Sequence, residues 1–390
     1  MESEVITRIR KAIRDEGVDG WLFYNFRHRD RLADEILGLD MGSTSSRPWV
    51  FAVPATDSCQ RIVHAIEKDI LNSLPGNTVV YSDRKNFINA LEALGGLRWG
   101  VHSSEILPII SFLDAGSAAL MEKAGLILVS ADSLVQRLKG LLDREAVDSH
   151  ERAAAGLYDL VEKTWAEVQA AWRSGKPIRE GDIRAFMLDG MKTRDLITDH
   201  PPIVASGANA GNPHYDFSGD GALLVAGAIV QLDLWAKENK PGSIYADISW
   251  VGVFSEQASP EQENTFSDLI SARDLAVAFI AAELEQGRRP TGSAVDAEVR
   301  KHLILAGYDG ALRHRTGHGI DTECHGSGVN IDSVEFPDSR LLLDGACFSI
   351  EPGLYFDDFG LRTEIDVYIQ NGKVRVSGAT PQRAFLNCQR

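Results

Sequence analysis

Apolar residues in the first part of the chain follow helical spacing once and then cluster in short runs. Val5, Ile9 and Ile13 lie at helical spacing within residues 4–16, and Gly17 follows as a stop signal. Short apolar runs with intervening helical stretches predict six strands, over residues 21–24, 49–53, 61–66, 78–82, 98–102 and 126–130. The pattern predicts a mixed α/β domain that ends near residues 140–150, where the sequence becomes polar.

Longer elements recur in the same order in the second part. A long helix, a turn with a glycine and basic residues, and a helix led by an aspartate are predicted after residue 150 and again after residue 260. The turn residue Gly175 corresponds to Gly287. Strands follow each helical pair, over residues 223–235 and 245–254 in the first half and within residues 347–369 in the second. The repetition predicts a duplicated domain with a pseudo-twofold axis.

Acidic residues occupy matched positions of the two predicted hairpins. Asp233 and Asp247 lie in the first hairpin, and Glu351 and Glu364 in the second. Because side chains alternate along a strand, each pair faces the polar side of its hairpin. One acid on a strand is usually an exposed edge residue, but a pseudo-twofold axis that joins the polar sides would bring four carboxylates together.

Four clustered carboxylates require protons, basic partners or metal ions. Arg362 is one basic candidate, whereas two divalent cations would balance all four acids. His318 stands between two glycines, where the backbone can approach a site closely, and it would add a nitrogen ligand. Taken alone, a histidine between two glycines is more often an ordinary loop residue than a ligand. Mixed nitrogen and oxygen ligands favour Mn²⁺, Zn²⁺, Co²⁺ or Fe²⁺ over Ca²⁺. Asp366 shares the face of Glu364 and is interpreted as a solvated or structural acid.

Composition narrows the class of protein. A chain of 390 residues exceeds the size of one typical core, so two domains are expected. The net charge of −16 argues against nucleic acid as a partner. The sequence lacks an apolar run long enough to cross a membrane and a signal-peptide core, so no membrane partner is expected. Four scattered cysteines without a CxxC motif favour a reducing cytoplasm.

Five short motifs resemble those of the pita-bread metallopeptidases, which include prolidase (Xaa-Pro dipeptidase), aminopeptidase P and methionine aminopeptidase. The motifs are "QLDLW", "YADIS", "GHGI", "IEPG" and "RTEI", and the resemblance spans roughly residues 150–385. It implies that the metal ligands are Asp233, Asp247, His318, Glu351 and Glu364. The first part of the chain resembles the N-terminal domain of prolidase, aminopeptidase P and creatinase.

The resemblance implies an α/β (α+β) fold with two domains. A mixed α/β creatinase-like domain is expected over residues 1–145. A pita-bread catalytic domain with a pseudo-twofold internal repeat and a curved antiparallel sheet is expected over residues 146–390.

The resemblance further implies two divalent metal ions per chain, Mn²⁺, Co²⁺ or Zn²⁺, with a bridging hydroxide as nucleophile. Asp247 and Glu364 would bridge both ions, with Asp233 completing one coordination shell, and His318 and Glu351 completing the other.

Three residues are implied on the substrate side. His214 in "NPHY" and His325 in "CHGSG" would bind substrate and stabilise the oxyanion, while Glu351 would handle the proton of the attacking water. Arg362 is expected to contact the substrate or to orient a ligand carboxylate.

The expected activity is hydrolysis of Xaa-Pro dipeptides by a cytoplasmic homodimer. The alternatives are an aminopeptidase P, a creatinase-like enzyme acting on a non-peptide amide or C–N bond, and a binding protein of the same fold. A binding protein of this fold would be expected to have lost metal ligands, and all five implied ligands are present here. Two departures concern the substrate side: Gly326 follows His325 where the family often has glutamate, and the first hairpin is longer than usual.

Overall fold

The computed structural model describes residues 4–389, and the chain separates into two compact units, Met1–Lys139 and Gly140–Arg390. In the described part of the chain, none of the helices is both long and apolar enough to cross a membrane.

The first unit is a six-stranded sheet with helices between its strands. Its elements are α1 (Glu4–Glu16), β1 (Gly20–Asn25), α2 (Arg31–Leu37), β2 (Trp49–Pro54), β3 (Gln60–His64), β4 (Asn77–Tyr81), α3 (Arg84–Glu92), β5 (Arg98–Val101), α4 (Ala115–Lys123), β6 (Ile127–Ser130) and α5 (Asp132–Leu138). The sheet order is β4-β3-β2-β1-β5-β6. Neighbours β1, β2 and β3 pair antiparallel, and the outer pairs are parallel. All six predicted strands are present.

Both faces of this sheet are buried. Trp21 and Phe23 of β1 pack in one apolar cluster, while Leu22 between them packs in another. Strands buried on both faces read as continuous apolar runs, which is why they were visible in the sequence.

The second unit contains the repeat. Its elements are α6 (Arg144–Ser174), α7 (Glu180–Thr193), β7 (Leu196–Ile197), β8 (Ile203–Ser206), β9 (Ile229–Glu238), β10 (Ala246–Val253), α8 (Pro260–Glu285), α9 (Gly292–Leu305), β11 (Cys347–Ile350), β12 (Gly353–Tyr355), β13 (Gly360–Arg362), β14 (Ile365–Gln370) and β15 (Lys373–Val376). Helices α7 and α9 have 14 residues each, and both follow a turn whose glycine has positive φ, 66° at Gly175 and 73° at Gly287. The expected two-domain α/β fold and its internal repeat are confirmed.

Antiparallel hairpins in each half carry the predicted acids. Strands β9 and β10 pair so that Ser249 lies opposite Asp233, and β8 pairs with the other edge of β9. In the second half β11 pairs with β14 and β12 pairs with β13.

Glu351 and Glu364 were expected within continuous strands, and the structure corrects this. Both lie in the short gap between the β11–β14 and β12–β13 pairs. The reason is that their backbones have other partners: Glu351 N–H donates to Thr316 O at 2.7 Å, and Glu364 N–H donates to Ser249 O at 3.1 Å. The second bond joins the hairpin of one half to that of the other.

Candidate metal centre

Three carboxylates from the two hairpins meet between the halves of the second unit. One oxygen each of Asp233, Asp247 and Glu364 lies within 4.8 Å of the others. The hydroxyl of Ser249 lies between two of them, 2.8 Å from Asp233 Oδ1 and 2.9 Å from Glu364 Oε2. All four side chains are buried, so this is an interior polar cluster.

Two further groups of donor atoms overlap with this cluster. His318, Glu351 and Glu364 form one, and Asp247, His318 and Cys324 form the other. His318 Nε2 lies 3.5 Å from Asp247 Oδ2 and 3.6 Å from Glu351 Oε1. Asp247, Glu364 and His318 therefore each belong to two groups, and the five predicted ligands form one continuous set.

His318 is placed by close backbone packing. Its N–H donates to Ser349 Oγ at 3.1 Å, and its carbonyl accepts from Ser349 N–H at 2.9 Å. A Cβ atom at Gly317 would lie 2.0 Å from Ser349 O, and one at Gly319 would lie 2.5 Å from the carbonyl carbon of Gly328. Only glycine fits on either side of this histidine, so the "GHG" sequence is a packing requirement.

Substitution at Gly317 tests this placement. Gly317→Ala forces a backbone shift beside His318, and we expect it to weaken metal binding by about tenfold or more and to lower stability by roughly 1–3 kcal/mol. Metal titration and thermal melting measure the two effects. Gly310→Ala is the matched control, because a Cβ there meets nothing within 4 Å. Equal behaviour of the two variants would contradict the packing argument.

Burial dominates the electrostatics of the cluster. Burial, together with the charge of Asp233, raises the pKa of Asp247 to about 7. Burial likewise raises the pKa of Glu351 to about 8 and that of Glu364 well above its usual value. Burial lowers the pKa of His318 to about 3, so its imidazole is neutral and able to bind a cation.

Two carboxylate oxygens in the cluster lack protein partners. Asp247 Oδ1 and Glu364 Oε1 are buried and accept no hydrogen bond from any described residue. Buried polar atoms are normally satisfied, so these need a ligand that the protein does not supply. A neutral imidazole, several carboxylates and orphaned oxygens directed into one space fit divalent cations.

Arg362 is committed to protein partners. Its guanidinium forms a short ion pair with Asp233 and donates to Ser249 Oγ at 3.0 Å, Tyr355 Oη at 3.2 Å and Pro213 O at 3.2 Å. Burial alone would lower the pKa of Arg362, but Asp233, Tyr355 and Glu351 raise it well above its usual value. The geometry favours orientation of the Asp233 carboxylate, and contact with substrate stays a prediction.

All eight residues predicted for the site line one cavity of about 550 Å³. His214 and His325 are exposed, whereas four of the five predicted ligands are buried and Glu351 is half-buried. The rings of His325 and His318 meet edge to face at 4.3 Å between centroids. The neighbouring His318 and burial lower the pKa of His325 to about 4.

Asp366 is structural, and the expectation that it could be solvated is wrong. It is 1% exposed, and its Oδ2 accepts the backbone N–H of Asp247 at 2.7 Å. Burial raises its pKa well above the usual value. It lies in β14, which pairs with β11 on one edge and with β15 on the other.

Some cavity residues were missed by sequence reasoning. Cys324 donates its thiol to Asp247 Oδ2 at 3.0 Å, and Arg315 lines the cavity three residues before His318. The feature of the sequence that could have indicated these two residues is their position close to His318 and His325.

The structure also explains why glycine follows His325. A Cβ atom at Gly326 would lie 2.6 Å from Asp321 Cγ, so no glutamate side chain fits there.

Each half also has a buried acid that holds a loop of the site. Glu180 of α7 accepts from the N–H groups of Ser206 and Ala222, at 2.8 and 2.7 Å, and from Asn209 Nδ2 and Tyr215 Oη, at 2.9 and 3.0 Å. The loop between these contacts carries His214.

Asp296 of α9 does the same in the other half. It accepts from the N–H groups of Thr316 and Ser333, at 3.0 and 2.7 Å. This fixes the backbone just before His318.

Known proteins match both the sequence and the fold. Residues 144–371 match metallopeptidase family M24. The probable dipeptidase PepE of Mycobacterium tuberculosis (strain ATCC 25618 / H37Rv) is 27% identical over 288 residues, 73% of this chain and 69% of that protein. An Xaa-Pro dipeptidase of Lactobacillus delbrueckii subsp. lactis is 30% identical over 168 residues, 43% of this chain and 41% of that protein. The crystal structure of dipeptidase PepE from Mycobacterium ulcerans aligns with a TM-score of 0.71 at 21% identity, covering 99% of both chains.

The fold and the family match define a metal-dependent hydrolase with a pita-bread catalytic domain. The chain belongs to metallopeptidase family M24 and is a metallopeptidase. The resemblance found in the sequence is confirmed.

Proposed function

We propose that this protein is a dinuclear metal-dependent peptidase that hydrolyses Xaa-Pro dipeptides. The observation that carries the proposal is the sharing of ligands: Asp247, Glu364 and His318 each belong to two overlapping groups of donor atoms. Of these three, the carboxylates of Asp247 and Glu364 have two oxygens each and are suited to bridge two cations, whereas the imidazole of His318 would bind one. Asp233 would complete one coordination shell, and His318 and Glu351 the other.

Two bound divalent ions would supply a hydroxide nucleophile near neutral pH and polarise the scissile carbonyl. The side chain of Glu351 is 14% exposed, so water can reach it, and its carboxylate would accept the proton of the attacking water. His325 is neutral at pH 7 and retains one N–H, which would stabilise the developing oxyanion, and His214 at the exposed side of the cavity would hold the substrate.

The lining of the cavity supports the proposed preference for proline. The peptide nitrogen of an Xaa-Pro bond carries no hydrogen, so an enzyme cannot accept a hydrogen bond from it. Apolar and aromatic side chains line the cavity beside the predicted ligands, among them Pro201, Tyr215, Trp235 and Phe336. They provide surfaces for a proline ring. One relative of this chain is named an Xaa-Pro dipeptidase, which supports the same substrate class.

An arginine without a partner supports dipeptides over longer peptides. Three arginines line the cavity. Arg184 pairs with Asp216 at 2.9 Å, and Arg362 pairs with Asp233. The guanidinium of Arg315 forms no ion pair or hydrogen bond with the described residues and is free to bind an anion. A dipeptide presents its C-terminal carboxylate one residue beyond the scissile bond, within reach of such a group.

The substrate class is tested with purified protein reconstituted with Mn²⁺, Co²⁺ or Zn²⁺. We expect release of free proline from Ala-Pro and Leu-Pro, with slower cleavage of Ala-Pro-Ala and little of Ala-Leu. Faster turnover of Ala-Pro-Ala would favour an aminopeptidase P. Turnover of another amide without proline release would favour a creatinase-like enzyme.

Arg315→Ala tests the carboxylate contact. We expect kcat/KM for Ala-Pro to fall by about 10- to 100-fold, mainly through KM, because a hydrogen bond to a charged group contributes roughly 1.5–3 kcal/mol. Ala-Pro amide, which lacks the carboxylate, should be cleaved equally by both proteins. Arg313→Ala is the matched control, since Arg313 is exposed and does not line this cavity. An equal loss on the acid and the amide would contradict the assignment.

We further propose that the enzyme is a cytoplasmic homodimer. The three cysteines of the second unit, Cys324, Cys347 and Cys388, are buried and form no disulfide, which fits a reducing compartment. The dimer rests on resemblance to prolidases. Sedimentation equilibrium would measure the mass of the assembly, and a monomer at micromolar concentration would contradict it.

A further inference from the structure

Cys324 is a buried thiol inside the candidate metal centre. It is 5% exposed, and its Sγ lies 3.0 Å from Asp247 Oδ2. His318 Nε2 lies 3.5 Å from the same oxygen. A sulfur, a nitrogen and an oxygen donor of these residues lie within 4.8 Å of one another.

The spacing of these atoms suits the ligands of one ion. Zinc–ligand bonds of 2.0–2.3 Å at tetrahedral angles separate two ligand atoms by roughly 3.3–3.7 Å. The N···O distance of 3.5 Å falls in this range, whereas the S···O distance of 3.0 Å is shorter because the thiol donates a hydrogen bond to this oxygen. Asp247 Oδ1, the other oxygen of this carboxylate, is buried without a partner. The same carboxylate therefore presents one oxygen to the thiol and one buried oxygen that no described residue satisfies.

The turn around Cys324 is held on both sides. Asp321 N–H donates to Glu323 O at 3.1 Å, and Glu323 N–H donates to Asp321 Oδ1 at 2.9 Å. Gly326 N–H donates to Gly319 O at 2.8 Å. The sulfur is thus directed at the centre by a fixed backbone.

The other cysteines of the second unit have different surroundings. Cys347 Sγ lies 3.8 Å from His150 Nε2, and Cys388 Sγ lies 3.8 Å from Val253 O. Neither belongs to any of the three donor groups. Of these cysteines, only Cys324 combines a buried sulfur with a nearby imidazole in a common donor group and a carboxylate that has an unsatisfied oxygen.

We propose that Cys324 is a metal ligand on the His318 side of the centre and biases it toward Zn²⁺ or Co²⁺ over Mn²⁺. The Sγ–H proton passes to solvent as the sulfur–metal bond forms, with no change of oxidation state. Thiolate is a soft ligand that favours zinc and cobalt, whereas manganese prefers oxygen. This assignment rests on the proposed metal centre and adds a ligand to it.

Cobalt spectroscopy tests the assignment without an activity assay. Co²⁺-loaded protein should show a near-ultraviolet thiolate-to-cobalt charge-transfer band. Cys324→Ser and Cys324→Ala should each lose it, while the matched Cys347→Ser variant keeps it. If the Cys324 variants fold poorly, the wild-type and Cys347→Ser spectra still test the assignment, because absence of the band in cobalt-loaded wild-type protein excludes a thiolate ligand.

Competition titrations provide a second measurement. Cys324→Ser should weaken Zn²⁺ binding by about tenfold or more and leave Mn²⁺ binding nearly unchanged. Protein that binds cobalt without the band, or a Cys324→Ser variant that weakens both metals equally, overturns the role of Cys324 alone. Wild-type protein that binds no cobalt overturns both this role and the metal centre beneath it.

Discussion

Replacing Glu364 with alanine should remove both metal ions from each chain and reduce Ala-Pro hydrolysis by more than about a thousandfold. Glu364 belongs to the donor groups on both sides of the centre, so neither ion keeps a full set of ligands without it. The loss removes the nucleophile and the group that polarises the carbonyl together. Asp247→Ala should behave in the same way. Elemental analysis and steady-state kinetics measure the two effects.

The control for this experiment is another acid of the same cavity. Asp199 lines the cavity but belongs to none of the three donor groups, and Trp235 Nε1 donates to it at 2.6 Å. Asp199→Asn should keep about two metal ions per chain. A Glu364→Ala protein that retains two ions, or wild-type protein that stays fully active after exhaustive chelation, would contradict the dinuclear centre.

The second large effect concerns the stability of the metal-free protein. The pKa of Asp247 is raised to about 7 and that of Glu351 to about 8, against roughly 4 in an unfolded chain. Between roughly pH 4 and pH 8 the folded state therefore binds more protons than the unfolded state. The free energy of unfolding decreases as pH rises through this range. A shift of about three units corresponds to on the order of 4 kcal/mol. The melting temperature of the metal-free protein should therefore fall by roughly 10 °C from pH 5 to pH 8.

Bound metal and the isosteric substitution Asp247→Asn should both reduce this loss of stability at high pH. Saturating Zn²⁺ binds the folded state and should raise the melting temperature most at pH 8. Asp247→Asn should raise the metal-free melting temperature at pH 8 and abolish the stabilisation by metal. Calorimetry at four pH values, with Asp199→Asn alongside, measures both. A metal-free protein whose melting temperature is flat across this range would show that the carboxylates do not lose hydration as described.

The sequence was most informative where one physical requirement acts on neighbouring residues. Strands such as β1 are buried on both faces and appear as apolar runs, and the repeated turn glycines appear because both adopt positive φ. Matched acids in the two hairpins predicted a cluster, since strand alternation fixes their faces. The break in the second hairpin could not be predicted, because it depends on Thr316 and Ser249, which are distant in sequence.

Residues whose role depends on three-dimensional neighbours were invisible in the sequence. In the sequence, Cys324 is a small residue in a predicted loop. Its role is visible only when the structure places its sulfur beside Asp247. Arg315 is a candidate for binding the substrate carboxylate only because the other two arginines of the cavity have carboxylate partners. The choice between a solvated and a structural Asp366 stayed open in the sequence for the same reason, since its partner Asp247 lies in the other half of the repeat.

The contacts of Glu180 suggest how the entrance of the cavity can be redesigned. This one carboxylate holds both ends of residues 206–222, through the N–H groups of Ser206 and Ala222. The intervening residues can therefore be exchanged as a cassette, provided that the donors to Glu180 are retained. Libraries confined to residues 212–221, with Tyr215 kept as a donor to Glu180, would vary the substrate entrance around His214 while leaving the predicted metal ligands on their own strands and loop untouched.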